Sequence, residues 1–449
     1  MGLTKVNSGG IEDGSIVNAD VKSDAAIAKT KLAALNIGAS DIADNAVGLA
    51  QMAGGTDGQI ITYDASGDPV AVGPGTDGQV LTSTGAGSPP AFESVVAGAG
   101  HNLIINGDFR IAQRSGSMVG ITGSTNSGYQ TLDRWGFSGN WGSGAVNVGQ
   151  SSDTPNKSFS KSYHVDVTTA YAGANGVTVQ LWQKIEAQDL ASCGWDYTSS
   201  SSYLTLSFWV KSPKTGTHAI TLETYDGDSQ YRVLTYSVSS ANTWEKKSIQ
   251  IPGGSNVTID ADAQVGMTVY FMMTTGSDYH NTADAWSSSA RFGVTGQVNV
   301  LDNTANNFYL TGVQLETGSS AKDFDHRSYG NELNRCLRYY YRMPYKSGTF
   351  IGVGTAWNTD SSGGTFSVPV PMRTSPTFTV NAGGDFETTQ VFGDTQTCSA
   401  VSMPYGSSEP HNMMSWRGES SGNHDTGECY ILRFKDGQTS GYISLSAEL

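Results

Sequence analysis

Aromatic residues are nearly absent from the first hundred positions of this 449-residue chain. Only Tyr63 and Phe92 occur there, although the whole sequence holds 15 Phe, 9 Trp and 20 Tyr residues. A segment this poor in large apolar side chains cannot build a conventional core by itself. We therefore expect a thin N-terminal region followed by larger folded units.

Basic residues are also scarce, with 26 Lys and Arg against 41 Asp and Glu and a formal net charge of −15. Nucleic acid binding relies on cations that displace the counterions of phosphates, so we expect no nucleic acid partner. No apolar run is long enough to cross a bilayer, and no charged and apolar leader opens the sequence. We expect a soluble chain without membrane insertion.

The four cysteines are far apart, which predicts neither a zinc site nor a disulfide framework and fits folding in a reducing cytoplasm. They are Cys193, Cys336, Cys398 and Cys429. Residues 226–228, Asp-Gly-Asp, lack the later ligands of a calcium loop. The sequence predicts no metal site and no cofactor.

What the N-terminal region does contain is a repeat. The stretch GTDGQIIT at residues 55–62 returns as GTDGQVLT at residues 75–82, and each copy leads into a Gly- and Pro-containing turn. This pattern predicts two short hairpins, which are too small to bury an apolar face alone and therefore need neighbouring chains. Upstream, residues 11–52 carry aliphatics about every five positions, which favours a stalk packed against its own copies; an acidic disordered linker remains the alternative.

After residue 100, segments of five to eight residues alternate between apolar and polar side chains, as in β-strands. The strand candidates are residues 203–211, 218–225, 230–238, 247–253, 267–275 and 306–316. Their lengths, with Gly- and Asn-rich turns between them, predict a β-sandwich of the jelly-roll kind.

Three aromatic residues of the sandwich are candidates for glycan binding. Trp209 and Tyr203 lie opposite the apolar stripe of their strand, and Trp286 lies in a polar loop. A sugar ring needs a flat apolar platform beside side chains that hydrogen-bond its hydroxyls. Packing or an intersubunit contact is the alternative role for each, and Trp135 and Trp182 are expected in the core.

Residues 323–345 contain the one convincing helix of the sequence, with Leu333, Leu337 and Tyr340 or Tyr341 on one stripe, Cys336 beside them and Pro344 at the end. Residues 346–449 follow as a last β unit. Its polar segment 403–428 is predicted to be a loop that either packs on the axis of a trimer or contacts a receptor. The candidate contact residues there are Tyr405, His411, Trp416, Arg417 and His424.

One catalytic motif occurs in that segment. Residues 418–422 fit Gly-x-Ser-x-Gly, with His424 close by. A nucleophile elbow requires a strand before the serine and a helix after it, whereas the sequence indicates loop on both sides. We therefore predict no catalytic residues.

Several segments carry a resemblance to known families. GTDGQVLTSTGAGSPPAFESV, at residues 75–95, resembles the repeat of bacteriophage tail fibres, and residues 11–32 are similar to their N-terminal shafts. Residues 316–342 resemble the linker that follows their sandwich. Residues 101–110, 131–137 and 308–319 resemble the first and last strands of carbohydrate-binding β-sandwich modules. The tail fibre resemblance implies a homotrimer whose N-terminal region binds tail or adaptor proteins of the virion. Many of those modules hold a calcium ion, but Thr311 and Gly312 stand where the family has its acidic pair, so that metal is not carried over.

The sequence thus predicts a mostly β protein in four parts: a trimeric fibrous stalk (1–97), a jelly-roll sandwich (98–322), a helical linker (323–345) and a β tip (346–449). The predicted function is a homotrimeric tail fibre adhesin, assembled in the host cytoplasm into the virion tail, that attaches to a host surface glycan or receptor. A structural fibre without receptor binding and a depolymerase tailspike are the alternatives.

Overall fold

The computed structural model describes most of the chain after residue 53. The described residues are 17, 19, 21, 22, 25, 42, 54–77, 79–94, 101–123, 127–390, 395–403, 412–422, 424–437 and 441–449. The chain divides into two compact units, Met1–Val95 and Val96–Leu449. The five-residue apolar period of residues 11–52 lies almost wholly outside the described residues.

The two repeats of the N-terminal unit form two antiparallel hairpins, as their sequence predicts. Strand β1 (Ile60–Tyr63) pairs with β2 (Pro69–Val72), and β3 (Gln79–Thr82) pairs with β4 (Ala91–Ser94). The same contact precedes each hairpin, because the backbone N–H of the repeat threonine donates to the glutamine Oε1 three residues later at 2.7 Å. The repeat in sequence is therefore a repeat in structure.

The larger unit begins with a sandwich of two antiparallel sheets, which confirms the predicted β-sandwich. Its elements in chain order are β5 (Val119–Thr122), β6 (Gly136–Gly139), β7 (Ala145–Ser151), β8 (Ser162–Thr169), β9 (Thr178–Glu186), α1 (Ala187–Ser192), β10 (Tyr203–Lys211), β11 (Gly216–Thr224), β12 (Gln230–Val238), β13 (Glu245–Pro252), β14 (Val265–Thr275), β15 (Trp286–Ser287) and β16 (Asn307–Thr317). The first sheet has the order β13-β10-β16-β8-β7-β5, and the second has the order β15-β12-β11-β14-β9-β6.

The core lies between these sheets. Leu204, Leu206, Phe208 and Val210 of β10 are fully buried, and Phe208 meets Phe271 of the opposite sheet at a ring separation of 5.2 Å in an edge-to-face arrangement. All six predicted strand segments coincide with strands. Trp135 and Trp182 are buried as expected.

The predicted helix is shorter than its sequence suggests. Helix α2 (Tyr329–Leu337) is capped by Ser328, whose side chain accepts a hydrogen bond from the N–H of Asn331. Leu333 and Cys336 of its predicted stripe pack with Ile105 and Ile111 of the sandwich, and Leu337 is buried.

The stripe does not continue to Tyr340 and Tyr341, because these residues belong to strand β17 (Tyr340–Pro344). That strand pairs with residues 442–446, about a hundred positions later in the chain. Pairing with a distant strand, rather than Pro344, ends the helix.

The C-terminal part consists of a seven-stranded and a three-stranded sheet. Its strands are β18 (Phe350–Asn358), β19 (Ser361–Ser367), β20 (Thr377–Val380), β21 (Phe386–Thr389), β22 (Thr395–Thr397), β23 (Ala400–Ser402), β24 (Met413–Glu419), β25 (Cys429–Phe434) and β26 (Tyr442–Ser446). The sheet orders are β22-β21-β25-β18-β19-β24-β23 and β17-β26-β20. Within the described residues, no helix is long and apolar enough to cross a membrane.

Candidate functional site

A concavity of the sandwich surrounds Trp286, at the open edge of the second sheet. Its volume is about 530 Å³. The lining residues are Asp228, Gln230, Asn256, Thr258, Trp286, Ser287 and Ser288. One aromatic ring is thus surrounded entirely by polar side chains.

Three contacts fix the indole of Trp286. Strand β15 pairs with β12, which places Trp286 opposite Arg232, and the Arg232 guanidinium carbon lies 5.8 Å from the ring centroid. The indole Nε1 donates a hydrogen bond of 2.9 Å to the carbonyl of Pro252. Gly254 lies against the ring so closely that an added Cβ would stand 2.7 Å from Cδ1. The half-buried ring is therefore a rigid wall of the cavity.

The polar rim of this cavity is also held in place. Asp226 accepts a hydrogen bond of 2.8 Å from the N–H of Asp260 and forms an isolated bridge with Thr258, so the turn bearing Asp228 is fixed to the loop that bears Asn256. Carboxylate and amide groups beside a flat ring can hydrogen-bond pairs of adjacent hydroxyls while the ring contacts C–H groups. This arrangement fits a sugar ring.

A cluster that sequence reasoning missed adjoins the cavity. Ser287, a cavity residue, pairs with Tyr231, which in turn pairs with Glu223 on β11. The hydroxyls of Tyr225, Tyr231 and Tyr270 donate to the Glu223 carboxylate at 2.7 to 2.8 Å. Burial, together with the hydrogen bond to Glu223, raises the pKa of Tyr231 to about 12.

This cluster lines the outer face of the second sheet with three half-buried aromatic rings. The sequence feature that could have indicated this cluster is Glu223, a single glutamate in an alternating strand whose outer face otherwise carries small residues.

A second concavity, of about 390 Å³, surrounds Trp209 on the outer face of the first sheet. Its lining residues are Asn156, Ser158, Phe159, Ser207, Trp209, Lys246, Gly312, Asp323, Phe324 and His326. Tyr203 is not among them: it lies six residues away on the same strand, about 20 Å along β10. The structure therefore does not bring Tyr203 and Trp209 together, although both lie on the face that the alternation predicts.

Two residues proposed as receptor contacts in the tip are buried, which corrects their assignment to an exposed loop. Trp416 lies on β24 with no exposed surface and packs in the core of the tip. His424 is enclosed between Thr388 and Ser420, and burial lowers its pKa. The physical reason is that the polar segment contains a strand, β24, which pairs with β19 and β23.

The remaining tip candidates have different positions. Arg417 is half-exposed, pairs with Glu419 at 3.2 Å and lines a cavity of about 240 Å³ together with Asp360. Tyr405 and His411 lie outside the described residues.

The Gly-x-Ser-x-Gly motif has a strand before its serine, which sequence reasoning did not foresee, but turns rather than a helix follow it in the described residues. Ser420 Oγ lies 3.1 Å from His424 Nδ1, and His424 Nε2 lies 2.8 Å from the Thr388 hydroxyl. No described carboxylate hydrogen-bonds to His424. The motif therefore lacks both the elbow and the acid that orients the base of a triad.

No family model and no curated protein matches this sequence. Among solved structures, similar ones include the enzymatically active domain of tailspike protein 4 of bacteriophage CBA120, with 14% identity and a TM-score of 0.28 over 48% of this chain and 21% of that chain. The family 11 carbohydrate-binding module of a Clostridium thermocellum cellulase is similar at 12% identity and a TM-score of 0.24, over 46% of this chain and 98% of the module.

A xylan-binding domain from Paenibacillus barcinonensis matches at 13% identity and a TM-score of 0.22, over 46% of this chain and 99% of that chain. Carbohydrate-binding modules and a tailspike domain are therefore among the structures that this chain is similar to.

Proposed function

We propose that this chain is an adhesin that binds a cell-surface glycan in the Trp286 cavity. The observation that carries the proposal is the geometry of that cavity, in which a fixed, half-buried indole stands among one carboxylate, two amides and three hydroxyls. Covering about 60 Å² of the indole would supply roughly 1.5 kcal/mol, or about a tenfold gain in affinity. Hydrogen bonds to sugar hydroxyls would supply the specificity.

Association into a homotrimeric fibre is the second part of the proposal. Ile61 and Tyr63 of the first hairpin are 57% and 66% exposed, and Val80 and Leu81 of the second hairpin are exposed as well. Such small hairpins gain a buried apolar face only from neighbouring chains. The number three, the place in the virion tail and the attachment of the N-terminal region to tail or adaptor proteins rest on the sequence resemblance to tail fibres.

The outer face of the tip sheet offers a further self-association surface. Phe350 and Val353 of β18 are 63% and 65% exposed, and Trp357 and Met413 are exposed on the same sheet. The charges on this face are paired internally, Arg417 with Glu419 and Arg433 with Glu387. Copies of a chain with a net charge of −15 can meet at such a neutral, apolar face without added repulsion.

Several copies of a shallow site on one trimer bind a surface more firmly than one copy does. Once one chain of a trimer is bound, its other sites bind intramolecularly, so weak individual contacts produce firm yet reversible attachment.

We propose binding rather than cleavage. Glycan hydrolysis needs two carboxylates, one of which is kept protonated by its surroundings. The carboxylates that line the tip cavity, Asp360 and Glu419, are both well exposed to water, with 45% of the Glu419 side chain accessible. Exposed side chains of this kind are placed to hydrogen-bond a ligand at the protein surface.

The test is attachment of the purified protein to host cells, in competition with their extracted surface glycan. We expect the soluble glycan to displace the intact protein, and Trp286→Ala to reduce binding about tenfold or more. Trp244→Ala is the matched control, because Trp244 is a half-buried sandwich tryptophan outside this cavity. Equal binding by the two variants and the parent protein would place the receptor site outside the Trp286 cavity, and no binding by any of the three would favour a purely structural fibre. Release of reducing sugar ends would favour a depolymerase.

A further inference from the structure

The Trp209 cavity lies on the sheet that does not carry the Trp286 cavity. Lys246 of β13 pairs directly with Trp209 of β10. Cross-strand pairing brings the aliphatic stem of the lysine side chain beside the indole. On the other side, Gly312 of β16 has a φ of +61°, and an added Cβ there would stand 2.8 Å from Phe159 and 3.2 Å from the Trp209 ring. A glycine at this position keeps the space between these two rings open.

The floor and wall of the cavity are aromatic. Phe159, Phe324 and His326 form a compact group with ring separations of 4.8 to 5.3 Å. Phe159 is buried, whereas Trp209 and Phe324 are half-exposed and His326 is exposed. Apolar faces of this kind are available to the C–H surface of a ring-shaped ligand.

The charges of this cavity distinguish it from the Trp286 cavity. Lys246 and Asp323 are both exposed, and neither forms an ion pair with another described residue. Side chains that can donate hydrogen bonds outnumber carboxylates in this lining. Lys246, Asn156 and His326 can donate, whereas Asp323 is the one carboxylate among the lining residues. The Trp286 cavity, in contrast, has a carboxylate and no cationic side chain in its lining.

We infer that the Trp209 cavity is a second ligand site, selective for a sugar that bears a carboxylate, such as a uronic or sialic acid. Its carboxylate pairs with Lys246, its ring contacts Trp209, and its hydroxyls hydrogen-bond Asp323 and Asn156. The choice of a saccharide rests on the proposed function, whereas the preference for an acid rests on the charges of the cavity. The two sites of one sandwich then recognise different sugars of the same surface.

The test measures binding of glucuronate, galacturonate and N-acetylneuraminate to the full chain by ligand-observed NMR, with glucose and methyl glucuronate as uncharged comparisons. We expect at least one acid to bind more tightly than the uncharged sugars, and Trp209→Ala to abolish that binding. Lys246→Gln should weaken it about threefold to fivefold, the range of an exposed ion pair. Added salt should weaken it further.

The matched control is Lys247→Gln, which changes the net charge equally one residue away, at a lysine that pairs with Glu245 at 2.6 Å and does not line the cavity. If no acid binds, or if Lys246→Gln and Lys247→Gln behave alike, the inference is wrong. Cell attachment that depends on Trp286 would then still stand. If the acids bind but Trp286→Ala leaves cell attachment intact, the proposed function fails and this site remains.

Discussion

Trp286 owes its position to neighbours that contact its ring rather than to its own short strand. Since β15 contains only two residues, the ring is oriented by the carbonyl of Pro252, by Arg232 and by the absence of a side chain at Gly254. A binding residue fixed in this way loses little conformational entropy when a ligand arrives.

Gly254→Ala tests that fixed position without removing the indole. The new methyl group would overlap Cδ1 of Trp286, so we expect the ring to shift and glycan affinity to fall about threefold to tenfold, as for a partly lost stacking contact. Isothermal titration with the extracted glycan measures the affinity, and tryptophan fluorescence reports the shift of the ring.

Gly116→Ala is the matched control, because an added Cβ at Gly116 meets no atom within 4 Å. If Gly254→Ala and Gly116→Ala bind the glycan equally well, the position of the indole is not what the ligand recognises.

Side-chain exposure could be predicted from the sequence only where the strand itself was recognisable. The alternation in residues 203–211 placed Trp209 on the outer face correctly. Trp416 was placed wrongly, because its strand lies in a Gly- and Ser-rich segment and is defined by its pairing with β19 and β23. Pairing between segments that are distant in sequence leaves no local pattern to detect.

At the scale of elements, the junction between sandwich and linker is built around one buried carboxylate. Glu186 ends β9 with its side chain fully buried, and Arg338 donates to it through Nε at 3.0 Å and Nη2 at 2.9 Å. Tyr339 also donates to Glu186, and the guanidinium of Arg134 stacks 3.5 Å from the Tyr339 ring. Residues of the sandwich and of the linker thus meet at one acid.

Acid should weaken this junction. Burial alone would raise the pKa of Glu186, but the hydrogen bonds from Arg338 and Tyr339 outweigh it and lower the pKa below its usual 4.5. The carboxylate therefore stabilises the fold above its unfolded-state pKa, and that contribution is lost as the pH falls through the lower, folded-state pKa. Unfolding by urea, followed from pH 7 to about pH 3, measures this loss.

Glu186→Gln should cost about 2 kcal/mol at pH 7, because it leaves the half-buried Arg338 without its charge partner. The same substitution should make stability less dependent on pH below about 4.5. Glu419→Gln is the matched control, since Glu419 pairs with Arg417 on the tip sheet away from this junction. If the free energy of unfolding of Glu186→Gln fell with decreasing pH as steeply as that of the parent protein, this junction would not be the group that titrates.

The elements themselves were predictable to different degrees. The two hairpins and the strands with clear alternation were correctly predicted, because each period or repeat lies within one short segment. The linker helix was predicted too long, because β17 is recruited by β26 from the end of the chain. The short helix α1 and the Glu223 cluster were missed, since both depend on tertiary neighbours.

At the scale of the whole molecule, the proposal joins weak sites into one fibre. The exposed aliphatics of both hairpins should then lie at contacts between chains. We expect the double substitution Ile61→Asp and Leu81→Asp to lower the mass measured by light scattering from that of a trimer towards that of a single chain. Charges buried at such a contact would be destabilising by several kcal/mol.

The control for that experiment is Ala65→Asp with Ala86→Asp, which adds the same charge in exposed turns of the same hairpins. A protein that remains trimeric with Ile61→Asp and Leu81→Asp would place the association elsewhere. In that case Val353→Asp would examine the apolar face of the tip sheet, where Val353 is 65% exposed.

The central claim is that a surface glycan lies on Trp286, and the most direct measurement is protection of that indole from oxidation. The full protein would be treated with N-bromosuccinimide with and without the extracted glycan, and oxidation of each tryptophan would be quantified by peptide mass spectrometry. Trp244, which is half-buried and does not line the Trp286 cavity, serves as the internal reference. We predict that the glycan slows oxidation of Trp286 and leaves Trp244 unchanged. Unprotected Trp286 in the presence of bound glycan would contradict the account.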